Sequence, residues 1–259
     1  MTGNGDHLAI LLIATGDYSN FIQANLESIQ KYNHPYETIE FHIYTDDLSK
    51  VLISKYKIQL HEWRETKWPY ATLLRYEAIL RNEKFLEKYS HLLYLDVDMK
   101  VNGPLPKFSS SKLLAVEHPG YKNKKIKPFE NRLLSKAFFQ DEPDSIYVCG
   151  GVQGGGKDLF IEAMRKMNEN IHIDLEKEVI AIWHDESHWN KCINKDQSRG
   201  EILGREYCWP EQWQSKRTPG KIIALKKNHS VSRSDKNVYR KFRFFLSDIR
   251  MKLIRPRAY

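Results

Sequence analysis

Hydrophobic positions fall into two patterns along the first half of the chain. LAILLIATG (8–16) is a short, nearly continuous apolar run ended by glycine, which predicts a buried strand. IEFHIYTDD (39–47) alternates and is β-rich, a second strand. HLLYLDVD (91–98) and KLLAVEHPG (112–120) give two more, the latter closed by Pro-Gly. Between them the apolar period changes. Phe21, Ala24, Leu26 and Ile29 mark a helix that Ser19 would cap and that runs to about Lys31. WPYATLLRYEAILRNEKFLEKY (68–89) is helical in period, with Pro69 in its first turn. Strands alternating with helices predict an α/β fold with a largely parallel sheet.

Beyond residue 120 the pattern turns irregular. YVCGGVQGGG (147–156) crowds five glycines around Gln153, which fits either close backbone approach to a ligand or an awkward turn. KDLFIEAMRKMNENI (157–171) is an amphipathic helix whose Leu159, Phe160, Ala163, Met164 and Met167 belong to a core. No repeat or interdomain linker interrupts the chain. One composition shift, near Ser234, separates a single domain (1–235) from a basic tail (236–259). In that tail Val238, Phe242, Phe245 and Ile249 share a helical face ringed by cations. It is expected to lie on an anionic membrane surface.

Charge changes the picture more than overall composition does. The 259 residues carry a net charge of +8, with a pI near 9.2, so an anionic partner is expected: nucleic acid, anionic lipid or a phosphorylated substrate. Cys149, Cys192 and Cys208 lack CxxC spacing and read as free thiols in a reducing compartment. No run of about 18 apolar residues spans a membrane, and MTGNGDH lacks the features of a signal peptide.

Three stretches carry candidate chemistry. HLLYLDVDMKVNG (91–103) ends a buried strand in Asp96 and Asp98. Two residues apart in a strand, they would share a face and repel unless a cation joined them. A divalent metal with oxygen ligands resolves that conflict, and a solvated strand end is the plainer alternative. IAIWHDESHWNK (180–191) sets Asp185 and Glu186 beside Trp183 and Trp189, acids beside aromatic faces, as a sugar site would require. Its histidines do not follow the order of a zinc HExxH motif. LKKNHSVSR (225–233) brings Lys227, His229 and Arg233 into reach of a diphosphate.

Together these parts resemble glycosyltransferase family 6, the family of the blood-group A and B transferases, the α1,3-galactosyltransferase and the Forssman synthase. The resemblance rests on IATGDY (13–18), FHIYTDD (41–47), Trp68 followed by Arg75, YLDVDM (94–99), EHPGY (117–121), YVCGGVQGG (147–155), WHDESHWN (183–190) and KNHSVSR (227–233). It covers about residues 8–233. It implies a single GT-A, Rossmann-like domain. It also implies a retaining transferase that moves GalNAc or Gal from a UDP-sugar, in α-linkage, to a galactose-containing glycan or glycolipid.

By the same resemblance, Ile13, Ala14, Thr15 and Tyr18 match the uracil-holding segment, with Val97 also on the UDP side. Asp96 and Asp98 match the DxD that binds Mn²⁺. Lys227 and Arg233 match residues closing over the diphosphate. Arg75, Asp185 and the tripeptide Cys149-Gly150-Gly151 match donor-sugar positions. His118, Trp183 and His184 match acceptor contacts. Glu186 matches the catalytic glutamate, as nucleophile or as electrostatic support. Gly151 leaves room for an acetamido group, which favours UDP-GalNAc.

Some positions depart from the family pattern. The acidic-Arg-Arg stretch after HPG appears as Glu130-Asn131-Arg132, and Pro210-Glu211 stands where the vertebrate enzymes place an aspartate, with Glu211 as its stand-in. The vertebrate-type anchor is not in this sequence, as expected of a cytoplasmic enzyme, peripheral at the inner membrane surface, or of a chain trimmed of its anchor. An inactive carbohydrate-binding relative would need neither Asp98 nor Glu186. A nucleic-acid binder would not explain the order of the motifs. A haloacid-dehalogenase-type phosphatase expects Thr or Val where Lys100 stands.

Overall fold

The structure is a computed structural model that describes residues 5–50, 55–64, 68–122, 124–215, 217 and 219–226. Lys227, Arg233 and the tail 236–259 lie outside the described residues. The described residues up to Leu225 form one compact unit.

Its centre is a seven-stranded sheet of β1 (His7–Ile13), β2 (Thr38–Thr45), β3 (Lys57–Glu62), β4 (His91–Asp96), β6 (Leu113–Glu117), β7 (Val148–Gly156) and β8 (Gly200–Leu203), in the order β3-β2-β1-β4-β7-β6-β8. β7 runs antiparallel to both of its neighbours, and every other pairing is parallel. A smaller sheet joins β5 (Met99–Val101), β10 (Ile222–Ala224) and β9 (Trp209–Pro210). The mixed, mostly parallel sheet with helices against it agrees with the α/β expectation.

β1 reads as continuous apolar sequence because both of its faces are covered. Leu8, Ile10 and Leu12 pack with Ile22, Leu26 and Ile29 of α1 (Ile22–Gln30). Ala9 and Leu11 face the opposite core. Phe160, Met164 and Met167 of α4 (Lys157–Glu176) and Trp189 of α5 (Asp185–Lys195) fill that side.

Four local expectations change. Ser19 does not cap a helix: it lies in a 3₁₀ turn, Gly16–Phe21, and its hydroxyl donates to the Gly16 carbonyl at 2.7 Å. The helix expected over 68–89 is broken into α2 (Tyr70–Leu73), α3 (Arg75–Leu80) and a 3₁₀ turn at Glu83–Leu86. The break at Leu74 (φ −89°, ψ 12°) comes just before Arg75, whose guanidinium is buried. β4 ends at Asp96, and Val97 and Asp98 form the turn into β5, so strand alternation does not place the two aspartates on one face.

The glycine-rich 147–156 stretch is mostly β7, a fully buried strand and not an irregular loop. Glycine is usually poor in strands, but here neighbouring backbone leaves no room for a side chain. A Cβ on Gly154 would sit 2.5 Å from the Leu92 carbonyl oxygen, and one on Gly155 2.5 Å from that of Lys112.

Gly155 also has φ +145°, a region that disfavours any side chain. Gly155→Ala is therefore expected to cost at least about 2 kcal/mol from overpacking plus backbone strain. Gly103→Ala, with nothing within 4 Å of its Cβ, should stay within about 0.5 kcal/mol. Denaturant unfolding of both variants checks this, and equal midpoints would contradict it.

Candidate active site

Three chain segments meet where β1 and β4 reach their carboxyl ends and β7 begins. Such edges of parallel sheets are where α/β proteins place ligands. Ile13 pairs with Asp96 across β1 and β4, and Leu95 with Val152 across β4 and β7. α5 presents its first residues, Asp185 and Glu186, to the same edge, where acids also suit the positive end of the helix.

Arg75 joins these segments. Its side chain is 7% exposed. Nε lies 3.1 Å from Asp185 Oδ2 and Nη1 3.5 Å from Asp96 Oδ1. Nη1 also donates to the Gly150 carbonyl at 2.9 Å, and the guanidinium lies 4.6 Å from the Tyr94 ring centroid. Gln153 Nε2 donates to that same carbonyl at 2.9 Å, while its Oε1 accepts from the Tyr76 hydroxyl. Tyr94 Oη donates to Asp96 Oδ1 at 2.8 Å.

Glu186 is half-buried and held at both oxygens. Tyr147 Oη donates to Oε1 at 2.7 Å, and the Gly150 amide to Oε2 at 2.8 Å. Burial pushes its carboxyl above the usual range, and the Tyr147 bond pulls the other way. Burial pushes Asp185 up to about 7, against the pull of Arg75 and with help from Asp96 and Glu186.

Asn190 and Asn194, further along α5, bind strand backbone. Asn190 pairs with the amide and carbonyl of Val148, and Asn194 with those of Ile146. The helix is thereby fixed to the strand that carries Gly150. His188, Trp189 and Asn190 are buried, so the second half of WHDESHWN is scaffold.

The tripeptide Cys149-Gly150-Gly151 splits between two surroundings. Cys149 is a free thiol buried in the core, and a hydrogen bond with the Cys208 thiol, together with burial, raises its pKa. A Cβ on Gly150 would sit 3.1 Å from Glu186 Cβ. One on Gly151 would sit 2.5 Å from Met99 Cε and 2.9 Å from Asp96 Oδ2. A side chain at 151 therefore presses on the first aspartate before it reaches open space.

The acceptor candidates form a second group. His118 rests against Tyr121 and Tyr147 at 4.8 and 5.6 Å between ring centres. Burial lowers its pKa to about 4, and its Nδ1 accepts from the Gly120 amide, so the neutral ring carries its proton on Nε2. His184 takes φ 54° as the residue entering α5, a strained conformation for a side-chain-bearing residue, and meets Trp68 edge-on at 5.0 Å. Trp183 donates its amide to the Ser187 hydroxyl. Glu130 and Arg132 brace this segment: Ile182 N donates to Glu130 Oε2 at 2.7 Å, and Arg132 Nη2 to the Ile180 carbonyl at 2.6 Å.

The remaining positions are simply placed. Ile13 ends β1, the Ala14 amide donates to the Tyr44 carbonyl, and Thr15 and Tyr18 flank the turn at Gly16. The Val97 side chain packs in the core, leaving its main chain for any ligand. Asp98 is buried, and its carbonyl accepts from Leu225 N at 3.0 Å. Glu211 opens an exposed 3₁₀ turn beside the Trp209–Trp213 pair.

A divalent cation fits Asp96 and Asp98 chemically, since both offer hard oxygen donors. No cluster of three or more protein ligands occurs among the described residues. Phosphate oxygens and water would then complete the coordination, a pattern small divalent cations adopt. Sequence reasoning assigned no role to Tyr147, Tyr94, Tyr76 or Gln153. Tyr94 could have been found, since it lies two residues before Asp96 and so on its face of β4.

The mixed, mostly parallel sheet, with an acidic edge at the end of β4, matches a GT-A, Rossmann-like fold. The chain belongs to glycosyltransferase family 6, whose profile matches residues 6–234. It is 28% identical over 219 residues to the human globoside alpha-1,3-N-acetylgalactosaminyltransferase 1, covering 79% of this chain and 61% of that protein. It is 28% identical over 209 residues to the Escherichia coli O-antigen biosynthesis glycosyltransferase WbnI, covering 79% of this chain and 88% of that protein. Rat histo-blood group ABO system transferase 1 is 24% identical over 239 residues, covering 88% and 68%. The chain thus spans about three fifths of the human relative's length.

Arg75→Met should leave Asp185 buried without its cation, at a cost of about 3–5 kcal/mol. The pH dependence has a definite sign. A carboxyl whose folded pKa lies above its unfolded value loses stability as pH rises between the two, and removing Arg75 raises the folded value further. The stability deficit of Arg75→Met is therefore expected to be largest near pH 8 and smaller near pH 5. Urea unfolding at both values checks it, and a pH-independent deficit would contradict it.

Proposed function

We propose that the protein transfers N-acetylgalactosamine, or galactose, from a UDP-sugar to a galactose-containing glycan, forming an α1,3 linkage with retention of configuration. The observation that carries this reading is Glu186. It is held at both oxygens by Tyr147 and Gly150, and its α5 neighbour Asp185 pairs with the Arg75 that also meets Asp96. The relatives support the reaction class, one being a globoside alpha-1,3-N-acetylgalactosaminyltransferase.

Under this reading Asp96 and Asp98 hold Mn²⁺, which supplies Lewis-acid stabilisation of charge on the departing diphosphate. Lys227 and Arg233 are assigned to the same diphosphate. Ile13, Ala14, Thr15, Tyr18 and the Val97 main chain hold the nucleoside. Arg75, Asp185, Gly150 and Gly151 line the donor sugar. Each Glu186 oxygen accepts one hydrogen bond and keeps a lone pair, so the carboxylate can face the oxocarbenium-like sugar formed as UDP departs. His118, Trp183, His184 and Glu211 receive the acceptor.

UDP-GalNAc is the favoured donor because Gly151 adds no side chain beside Asp96 and Met99. The test is UDP release with UDP-GalNAc and UDP-Gal, on galactose, lactose and fucosylated lactose, with Mn²⁺ or excess chelator. The expected result is a higher kcat/KM for UDP-GalNAc and loss of transfer in chelator. Full activity in chelator removes the metal assignment, and a preference for UDP-Gal removes the donor assignment.

Glu186 must be ionised to act, so activity should fall as pH drops through its raised pKa. Glu186→Gln should lower kcat by about 10²–10³-fold or more with little change in UDP binding. Tyr147→Phe removes the bond that favours the charged form, so its acidic limb should move to higher pH. Unchanged turnover in Glu186→Gln would take Glu186 off the catalytic list, and an unmoved limb would detach Tyr147 from it.

A further inference from the structure

The three most exposed large apolar side chains among the described residues lie in one short segment. Ile126 is 84% exposed, Leu133 82% and Leu134 68%. That degree of exposure on neighbouring stretches asks for a partner. The same segment, 122–136, contains Lys122, Lys124, Lys125, Lys127, Arg132 and Lys136 against Glu130 alone. Lys122 and Lys127 are paired with Glu117 and Asp141, and Arg132 with Glu130. Lys125 and Lys136 make no ion pair among the described residues. Lys191 donates to the Lys136 carbonyl, and its pKa is lowered by burial and by the cations of Lys195 and Lys136. The segment therefore combines exposed aliphatic groups with an excess of positive charge.

The segment is built to hold these groups outward. Phe129 packs on Phe139 and Tyr147 at 5.0 and 5.2 Å between ring centres, and Phe139 N donates to the Glu130 carbonyl. Ile126 lines a cavity of about 490 Å³ together with Lys125, Lys127, Phe129, Phe138 and Phe139. Aliphatic tips among unneutralised lysines match the boundary between headgroups and acyl chains.

We propose that segment 122–136 is a docking surface for a lipid bilayer carrying anionic headgroups, with Ile126, Leu133 and Leu134 entering the acyl boundary. Tyr147, packed on Phe129, bonds to Glu186, while Glu130 and Arg132 brace residues 180–182 before Trp183 and His184. The same face thus abuts the residues assigned to the acceptor. A glycan borne by a lipid would be presented to the site by the surface that holds the enzyme. Vesicle binding itself does not depend on the transfer reading.

The test compares the full chain with Ile126→Ser/Leu133→Ser/Leu134→Ser by co-sedimentation with vesicles of phosphatidylcholine and phosphatidylglycerol, and of phosphatidylcholine alone. The tail 236–259 is present in both proteins, so the difference isolates this face. The variant should keep its Tm and its turnover on a soluble acceptor. It should bind the anionic vesicles about tenfold or more weakly, and added salt should weaken the parent. Leu134→Cys carrying a polarity-sensitive dye should shift its emission to the blue on the anionic vesicles. Equal vesicle binding by the triple variant, or unshifted dye emission, would overturn the proposal. So would an effect confined to self-association, which would make the face a contact between copies of this chain.

Discussion

The site depends on a buried cation. Asp96 from β4 and Asp185 from α5 both meet Arg75, and burial, with the charges of Asp96 and Glu186 nearby, pushes the Asp185 carboxyl up. Arg75 sits between, 3.1 Å from one and 3.5 Å from the other, and also binds the Gly150 carbonyl of β7. At an effective dielectric near 20, a pair at about 3 Å attracts by about 5 kcal/mol before desolvation is subtracted. The stabilisation that remains is smaller, but the geometric result is large. One side chain with donors in a fixed plane sets three elements at fixed distances. The helix expected over 68–89 is broken just where the chain must turn this side chain inward.

Once Arg75 fixes Gly150, Glu186 follows. The Gly150 carbonyl takes the Arg75 and Gln153 donors, while its amide goes to Glu186. The same peptide neighbourhood thus links the cation to the candidate catalytic carboxylate. Asn190 and Asn194 supply the opposite constraint, since their amides serve as strand partners for Val148 and Ile146. α5 cannot slide along β7 without breaking both pairs. WHDESHWN therefore divides its work: its acids face the edge of the sheet, and its later residues hold the helix to the strand.

Much of this was legible in the sequence where one force dominated. β1 and β4 were readable because both faces are buried and their apolar runs are unbroken. Asp96, Asp185 and Glu186 were singled out from motif and charge and Arg75 from the family resemblance, and the structure brings all four to one edge of the sheet. β7 was hidden because its glycines answer to close approach by Leu92 and Lys112 and not to strand propensity, and such proximity leaves no local trace. Asp98 was placed on the strand by alternation although the chain turns after Asp96. Ser19 had the chemistry of a cap, but its hydroxyl closed a tighter local turn. Tyr147 and Gln153 carry roles set by long-range partners that no window of neighbouring residues reports.

Gly151 shows how one position answers to two demands. The space it leaves is bounded by Met99 and by Asp96 Oδ2, not by open solvent alone. A methyl group there would first displace Met99 or the carboxylate that Tyr94 and Arg75 hold. If Gly151 lines the donor sugar as proposed, donor choice and the posture of Asp96 are coupled through a single absent Cβ. A flexible methionine can yield to such a group more cheaply than a hydrogen-bonded carboxylate can. Tolerance of a larger residue at 151 therefore rests on the partner at 99, and the two positions must be read as a pair.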